Sequence, residues 1–358
     1  MPSSGLEEFA VVIGRFQPPH RGHIYLLKEA HKVCGKVIVV VGSANQARDI
    51  RNPWTFQERA QMLALALGFK DTHEMERGGY LVTYSDDIPY NEQAWVRRVQ
   101  LAVGGILALH SMNPSNVTVR LFGLKKDLSS YYLDMFPAWK MVEVPQEDQL
   151  DATLVRDTFF EHIQSGQQRS FTTAACTPEV NNYLAKEAGS PRMKRLAQEW
   201  AKIKEEKAAW STAPFPPIFV TVDAIVVQGG HILLIRRKHP PGKGLLAIPG
   251  GHLEQTETIQ AGMIRELIEE THLKVPAKVL LGSIKKQKVY DYPARSQRGR
   301  VITHAFLIEL PGSGQGLPEV KGGDDAAEAE WFPLSAVKPD ELFEDHSHVI
   351  QDLLGING

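Results

Sequence analysis

The feature that most constrains this chain is a pair of short apolar runs flanking a helical pattern. Phe9-Ala10-Val11-Val12-Ile13 and Val37-Ile38-Val39-Val40-Val41 are continuous rather than alternating, as in strands buried on both faces of a parallel sheet. Between them, His23 to Cys34 carries Ile24, Leu27 and Ala30 at helical spacing, which completes a strand–helix–strand unit. Further strands are expected at Tyr80 to Ser85, Val117 to Gly123 and Lys140 to Val144, with helices at Thr55 to Leu67, Asn91 to Leu109 and Thr153 to Ile163. That alternation predicts a doubly wound, Rossmann-like α/β domain.

The chain has 358 residues, more than one hydrophobic core of up to ~300 residues usually serves. From Pro178 to Trp210 the pattern turns helical and charged, with Pro191 dividing it, and Pro214, Pro216 and Pro217 then mark a boundary. The expected organisation is an α/β domain over 1–177, a helical spacer over 178–213 and a second domain over 214–358. In the second domain, Phe219 to Val227 and His231 to Arg236 flank a Gly229-Gly230 turn. A helix fits Thr258 to Thr271, strands return at Ala277 to Lys286 and Val301 to Leu310, and a last helix fits Ser347 to Leu354. This predicts an α+β sandwich.

A net charge of -2 gives no global basic field of the kind that drives nonspecific nucleic-acid binding. Cys34 and Cys176 are too few for a disulfide framework or a thiolate zinc site. Met1 to Phe9 lacks a basic and apolar leader pattern, and no stretch approaches the ~20 apolar residues of a membrane span. The expectation is a cytoplasmic protein with neither nucleic-acid nor membrane partners.

Residues 251–273 read GHLEQTETIQAGMIRELIEETHL. On a helix of ~100° per residue, Glu266, Glu269 and Glu270 fall within an arc of about 100°, while Met263, Ile264, Leu267 and Ile268 occupy the adjoining arc. Three carboxylates on one face repel unless a cation sits among them, and hard oxygen ligands suit Mg²⁺ or Mn²⁺. Such an ion bridges phosphate oxygens and activates water, which is what cutting a pyrophosphate requires. Arg265, one turn before Glu269, can steady the cluster. The segment resembles the Nudix box, G-x5-E-x7-R-E-U-x-E-E-x-G-U with U aliphatic, through Gly251, Glu257, Arg265, Glu266, Leu267, Glu269, Glu270 and Leu273. His272 stands where the box has a glycine that ends the helix in a left-handed conformation. His tolerates that conformation better than most residues, so a modest cost in loop geometry is expected.

Asp291 to Thr303 and Phe343-Glu344-Asp345-His346 are similar to segments of the ADP-ribose pyrophosphatase-type Nudix proteins. The resemblance implies ADP-ribose as substrate, cleaved to AMP and ribose 5-phosphate. Arg295 and Arg298 would then clamp its phosphates, since guanidinium binds them bidentately.

At the other end, the first strand runs into Gly14-Arg15-Phe16-Gln17-Pro18-Pro19-His20-Arg21-Gly22-His23. The loop after the first strand of a doubly wound sheet, opening a helix, is where such folds bind nucleotides. His20, Gly22 and His23 resemble the H-x-G-H signature of the nucleotidyltransferase superfamily. Adenylyl transfer needs orientation and charge stabilisation rather than a protein nucleophile. Gly22 lets backbone approach a triphosphate, and the two imidazoles, one turn apart, can donate to its oxygens. Gly14, Arg15 and Phe16, together with Arg51-Asn52-Pro53-Trp54-Thr55 and Glu58-Arg59, resemble the archaeal-type nicotinamide mononucleotide (NMN) adenylyltransferases. Asp87-Ile88-Pro89-Tyr90-Asn91 and Trp95 are similar to their nicotinamide pocket, which implies Ile88 in the pocket wall, Trp95 stacked on the pyridine ring and Asn91 on its carboxamide. Leu150 to Arg156 sits where the superfamily has I-S-x-T-x-x-R, with Thr153 and Arg156 matching as a second phosphate site. Asp151 replaces the serine, and is free either to approach phosphate or to cap the helix.

Both halves together resemble the bacterial bifunctional NMN adenylyltransferase/Nudix hydrolase proteins. The resemblance implies ATP and NMN as substrates of the first half and NAD as its product, with ADP-ribose for the second and a homo-oligomeric state. The rival readings are a transferase acting on another phosphate acceptor, such as phosphopantetheine, and a Nudix half that senses a ligand without hydrolysing it.

Overall fold

The computed structural model describes residues 7–111, 116–124, 128–145, 150–166, 170–312 and 316–356. Of the segment Met1 to Phe9, in which no leader pattern is expected, residues 1–6 lie outside them. The chain divides into two compact units, Met1–Gln198 and Glu199–Gly358. Among the described residues, no helix is long and apolar enough to cross a membrane.

The first unit contains β1 (Glu7–Gly14), α1 (Arg21–Cys34), β2 (Val37–Val41), α2 (Phe56–Leu67), α3 (Thr72–Arg77), β3 (Tyr80–Tyr84), α4 (Glu92–His110), β4 (Val117–Gly123), β5 (Lys140–Glu143), α5 (Ala152–Gln164) and α6 (Pro178–Ala188), while α7 (Pro191–Ala209) runs across the division. Its sheet has the order β3-β2-β1-β4-β5, every pairing parallel. All of β2 is buried, as its unbroken apolar run demands. The order reverses at β1, so the loop leaving β1 opens at the topological switch point, where such sheets bind ligands. The segment expected as a spacer is shared out: α6 packs against α2 and α5, within the first unit.

One buried side chain ties the switch point together. Arg59 on α2 is fully buried and donates to Arg15 O (2.6 Å), Gly42 O (2.7 Å), Ser43 O (3.0 Å) and Thr55 O (3.2 Å). A single guanidinium thus joins the loop after β1 to the loop after β2.

The second unit contains β6 (Ile218–Gln228), β7 (His231–Arg237), β8 (Leu246–Ala247), β9 (Gly250–His252), α8 (Ile259–Thr271), α9 (Ala277–Gly282), β10 (Ile284–Tyr290), β11 (Arg300–Glu309), β12 (Ala326–Pro333) and α10 (His346–Leu354). Its mixed sheet runs β10-β11-β6-β7-β12, with β8 beside β7 and β9 beside β6. Met263 and Leu267 of α8 bury against Val222, Ala224 and Val226 of β6. Alternation then turns Thr221 and Asp223 to the opposite face, where the Tyr290 hydroxyl donates to Asp352 of α10.

One expectation is corrected. Ala277 to Gly282 is helical, and the strand begins only at Ile284 and runs to Tyr290. Pro276 starts the turn, its carbonyl accepting from Leu280 N–H (3.1 Å), and only Leu280 of the apolar run is buried. The same residues as a strand would have buried one alternating face. The sequence reading also missed α3 and β12.

Replacing Arg59 by Met, which keeps the bulk, leaves the carbonyls of Arg15, Gly42 and Ser43 without this donor, while Thr55 O keeps the backbone N–H of residue 59, and is expected to cost the first unit about 3 kcal/mol. Urea unfolding followed by a probe in that unit checks this, and a loss under about 1 kcal/mol would show that the guanidinium clamp is dispensable.

Candidate active sites

In the first unit, His20 is the N-cap of α1, and its backbone N–H donates to His23 Nδ1 (3.2 Å). The two imidazoles stack at 3.7 Å, and Phe16, itself at a left-handed φ of 52°, meets His23 edge-on at 4.9 Å. Because His23 Nδ1 accepts, the neutral ring carries its proton on Nε2 and presents it as a donor. A Cβ at position 14 would lie 3.0 Å from the Phe16 ring, and one at position 22 would lie 3.2 Å from the His20 ring. The motif glycines therefore keep the loop close to the sheet.

The rest of the loop is fixed by side chains. Gln17 pairs with the backbone of Trp54, donating to its carbonyl (2.9 Å) and accepting from its N–H (3.2 Å). Arg156 reaches from α5 to Gln17 O (2.6 Å) and to Thr153 Oγ1 (3.1 Å). Burial lowers Arg59 and Arg156 to about 10, and the charge of Arg15 pushes both the same way. Arg15 is exposed, and among the described residues its guanidinium makes no hydrogen bond or ion pair. Three cations gathered around one loop give it a local positive field.

Asp151 takes the second of its two roles. Its Oδ1 accepts from Thr153 N–H (2.7 Å) and caps α5. Beyond β3, Asp87 accepts from Ser43 Oγ (2.5 Å), and Ile88 O accepts from Asn91 N–H (3.2 Å). Asn91 Oδ1 caps α4 through Ala94 N–H (3.0 Å), which leaves its amide nitrogen as donor. Trp95 is half-buried, edge-on to Tyr132 (6.1 Å) and Phe136 (5.8 Å). One flank of the indole therefore belongs to the core.

In the second unit, Arg265 is the hub of the box. It grips Glu257 through Nε (3.0 Å) and Nη2 (2.7 Å), and reaches Glu266 (2.8 Å) and Glu269 (3.1 Å) through Nη1. Its hydrogen bonds hold Glu257 below the usual carboxylate range. Glu270 is buried and accepts from Gly250 N–H (2.9 Å). Burial pushes it up to about 8, with the charge of Glu266 adding. A Cβ at position 251 would stand 2.6 Å from the Glu266 carboxylate, so glycine lets that carboxylate keep its place on Arg265. Among the described residues, no three His, Cys, Asp or Glu side chains form a ready metal cage.

The two arginines expected as phosphate clamps have different fates. Arg295 is buried in a bidentate pair with Asp345, both contacts 3.0 Å. Arg298 is half-buried, its Nε is fully enclosed without a hydrogen-bond partner, and among the described residues its guanidinium makes no ion pair. Its charge acts on Glu344, Asp223 and His252. Glu344, for which the sequence offers no role, is half-buried with a left-handed φ of 44° and accepts from Ser296 Oγ (2.9 Å) and Gln297 N–H (3.0 Å). Asp223, buried on β6, accepts from Thr303 Oγ1 (2.5 Å) and is pushed up to about 6 by burial. Lone acids inside a strand pattern carry no signal that would have singled it out.

Fold and sites together define a nucleotidyltransferase joined to a Nudix hydrolase. The model of the NUDIX domain matches residues 217–353 and that of the cytidylyltransferase-like domain residues 11–157. Over 135 residues the chain is 42% identical to an ADP-ribose pyrophosphatase of Methanocaldococcus jannaschii, covering 38% of this chain and 72% of that one. Over 155 residues it is 35% identical to a nicotinamide/nicotinic acid mononucleotide adenylyltransferase of Acinetobacter baylyi, covering 43% and 76%. A bifunctional NMN adenylyltransferase/ADP ribose pyrophosphatase of Francisella tularensis, solved with AMP and a Mn ion, is 34% identical, with a TM-score of 0.86 over 98% of this chain and 100% of that one. The chain belongs to this bifunctional NMN adenylyltransferase/ADP-ribose pyrophosphatase family.

The network around Arg295 sets a pH dependence of stability. His346 Nδ1 accepts from Ile248 N–H (2.9 Å), and burial pushes this imidazole from 6.5 down to about 3. The folded state thus holds His346 neutral where the unfolded chain protonates it. Its contribution is full above pH 6.5 and falls away as pH drops from there towards 3. Urea titrations at pH 7.5 and pH 5 should show wild type ahead of His346→Gln by more at the higher pH. An equal lead at both would mean that His346 does not titrate in this window.

Proposed function

We propose that the first unit transfers the adenylyl group of ATP to NMN, giving NAD and pyrophosphate, and that the second hydrolyses ADP-ribose to AMP and ribose 5-phosphate. The observation that carries the reading is that each unit keeps beside its motif an arginine whose guanidinium, among the described residues, makes no hydrogen bond or ion pair: Arg15 in the first, Arg298 in the second. Protein groups without protein partners at such places are built for anionic ligands.

In the first reaction an NMN phosphate oxygen attacks the α-phosphorus of ATP, and the bond to the leaving pyrophosphate breaks. Negative charge grows on the oxygens around that phosphorus. His23 donates from Nε2, with His20 stacked behind it to fix the ring, and Arg15 neutralises the triphosphate. Gly14, Phe16 and Gly22 let the loop lie close to it. Thr153 and Arg156 hold the α5 end of the site, where the helix N-terminus favours anions. Ile88 and Trp95 would flank the nicotinamide ring, and the Asn91 amide nitrogen would donate to its carboxamide oxygen.

In the second reaction water attacks a phosphorus of the diphosphate and a phosphate oxygen leaves. Arg298 binds the diphosphate, while Arg295 acts through Asp345 to fix the turn carrying Glu344. Glu344, which feels the charge of Arg298, would take a proton from that water. Glu266, Glu269 and Glu270 would hold Mg²⁺ or Mn²⁺. The donor set fits such an ion, because its charge would offset the burial that raises Glu270, and Mg²⁺, which keeps several waters, needs only one or two carboxylates. Bound there, the ion would draw charge from the diphosphate oxygens and acidify water. Gly251 keeps room for Glu266 in this arrangement.

Chromatography of nucleotides after incubation with NMN plus ATP, and separately with ADP-ribose, tests both halves. Glu269→Gln should lose ADP-ribose hydrolysis by about a hundredfold or more and keep NAD synthesis. His23→Ala should do the reverse, by roughly 10²–10³ in kcat. Loss of both activities in either variant would contradict independent sites.

A further inference from the structure

The box glycine is His272 here, and its surroundings give it work that glycine cannot do. His272 ends α8 in the left-handed conformation, φ 47° and ψ 31°, which a glycine would reach without strain. Its Nδ1 lies 3.2 Å from Lys321 O, and because a carbonyl only accepts, that nitrogen carries the proton. The ring lies over Gly323, where any Cβ would overlap it. The segment so held also donates Lys321 N–H to Thr271 O (2.8 Å) and Gly323 N–H to Glu270 O (3.0 Å). At its far end Lys238 N–H reaches Asp325 O (3.0 Å).

These bonds engage carbonyls of the last turn of α8, which otherwise lack an intrahelical donor and fray. Glu269 and Glu270 stand on that turn. We propose that His272 is a positioning residue of the Nudix site: it pins residues 321–325 across the end of α8 and so fixes the direction of the Glu269 and Glu270 carboxylates. Gly323 is its necessary counterpart. The proposal rests on the reading of these glutamates as metal ligands.

The test uses the full chain with two readouts, amide hydrogen exchange at 269–272 and 321–325, and Mn²⁺ binding by titration calorimetry without nucleotide. In His272→Gly, exchange at Gly323 should quicken about tenfold and Mn²⁺ affinity should fall by about tenfold, as when the support of a metal ligand is removed. His272→Asn tolerates the left-handed backbone and offers an amide donor to Lys321 O, so it should recover most of both. Wild-type exchange and Mn²⁺ affinity in His272→Gly would overturn the proposal, as would a His272→Asn protein as loose as the glycine variant. If the wild-type chain binds no Mn²⁺ that Glu269→Gln abolishes, the metal reading itself falls, and this inference with it. Wild-type binding that His272→Gly leaves unchanged removes the inference alone.

Discussion

The second unit depends on how closely β9 can lie to its neighbours. A Cβ at Gly250 would overlap the carbonyl of Val222 and the carboxylate of Asp223, and one at Gly251 would meet Glu266 at 2.6 Å. Two adjacent glycines therefore let a backbone strip pass between β6 and α8 where no side chain fits. That strip is also functional wiring, since Gly250 N–H is the donor to buried Glu270 (2.9 Å). The same close approach brings the carboxylates of α8 within electrostatic reach of the sheet's opposite face, since the charge of Asp223 bears on Glu270. Packing and chemistry are set here by one constraint, the absence of two methyl groups.

The first unit solves the corresponding problem with charge. A loop leaving the centre of a parallel sheet has carbonyls that no strand satisfies. Arg59 takes those of Arg15, Gly42 and Ser43, and Arg156 takes that of Gln17. Guanidinium forks do so while fixing the loop, and burial of two cations makes the loop electropositive from beneath. The roles proposed for His23 and Arg15 call for such a fixed base, since catalysis by orientation demands one.

How far the sequence could be read follows from what each signal depends on. The strand Val37–Val41 and the helices α2, α4, α5 and α8 were legible because periodicity is local and long runs repeat it. The α9 turn was misread because six residues carry too few repeats to separate helix from strand, and Pro276 acts through its carbonyl, not its pattern. β12 escaped because Glu328 and Glu330 alternate with small or partly exposed residues at a sheet edge, so it lacks an apolar run. The box was legible to the residue, including the left-handed His272. Asp223 and the partner of Arg295 were not, since both rest on contacts between residues far apart in the chain.

The arginines show the limit most clearly. Arg15, Arg59, Arg156, Arg265, Arg295 and Arg298 all stand in motif segments; the sequence offers Arg15, Arg156, Arg295 and Arg298 alike as phosphate binders and Arg265 as a support of the carboxylates. The structure sorts them by what they touch. Arg59 and Arg156 are engaged by carbonyls, Arg265 by three glutamates and Arg295 by Asp345. A guanidinium held this way gains little from a phosphate, because it would first have to leave a buried acceptor without a donor. Arg15 and Arg298 face no such loss among the described residues. An arginine's motif position therefore says where a charge is wanted, while its partners decide whether it builds the site or binds in it.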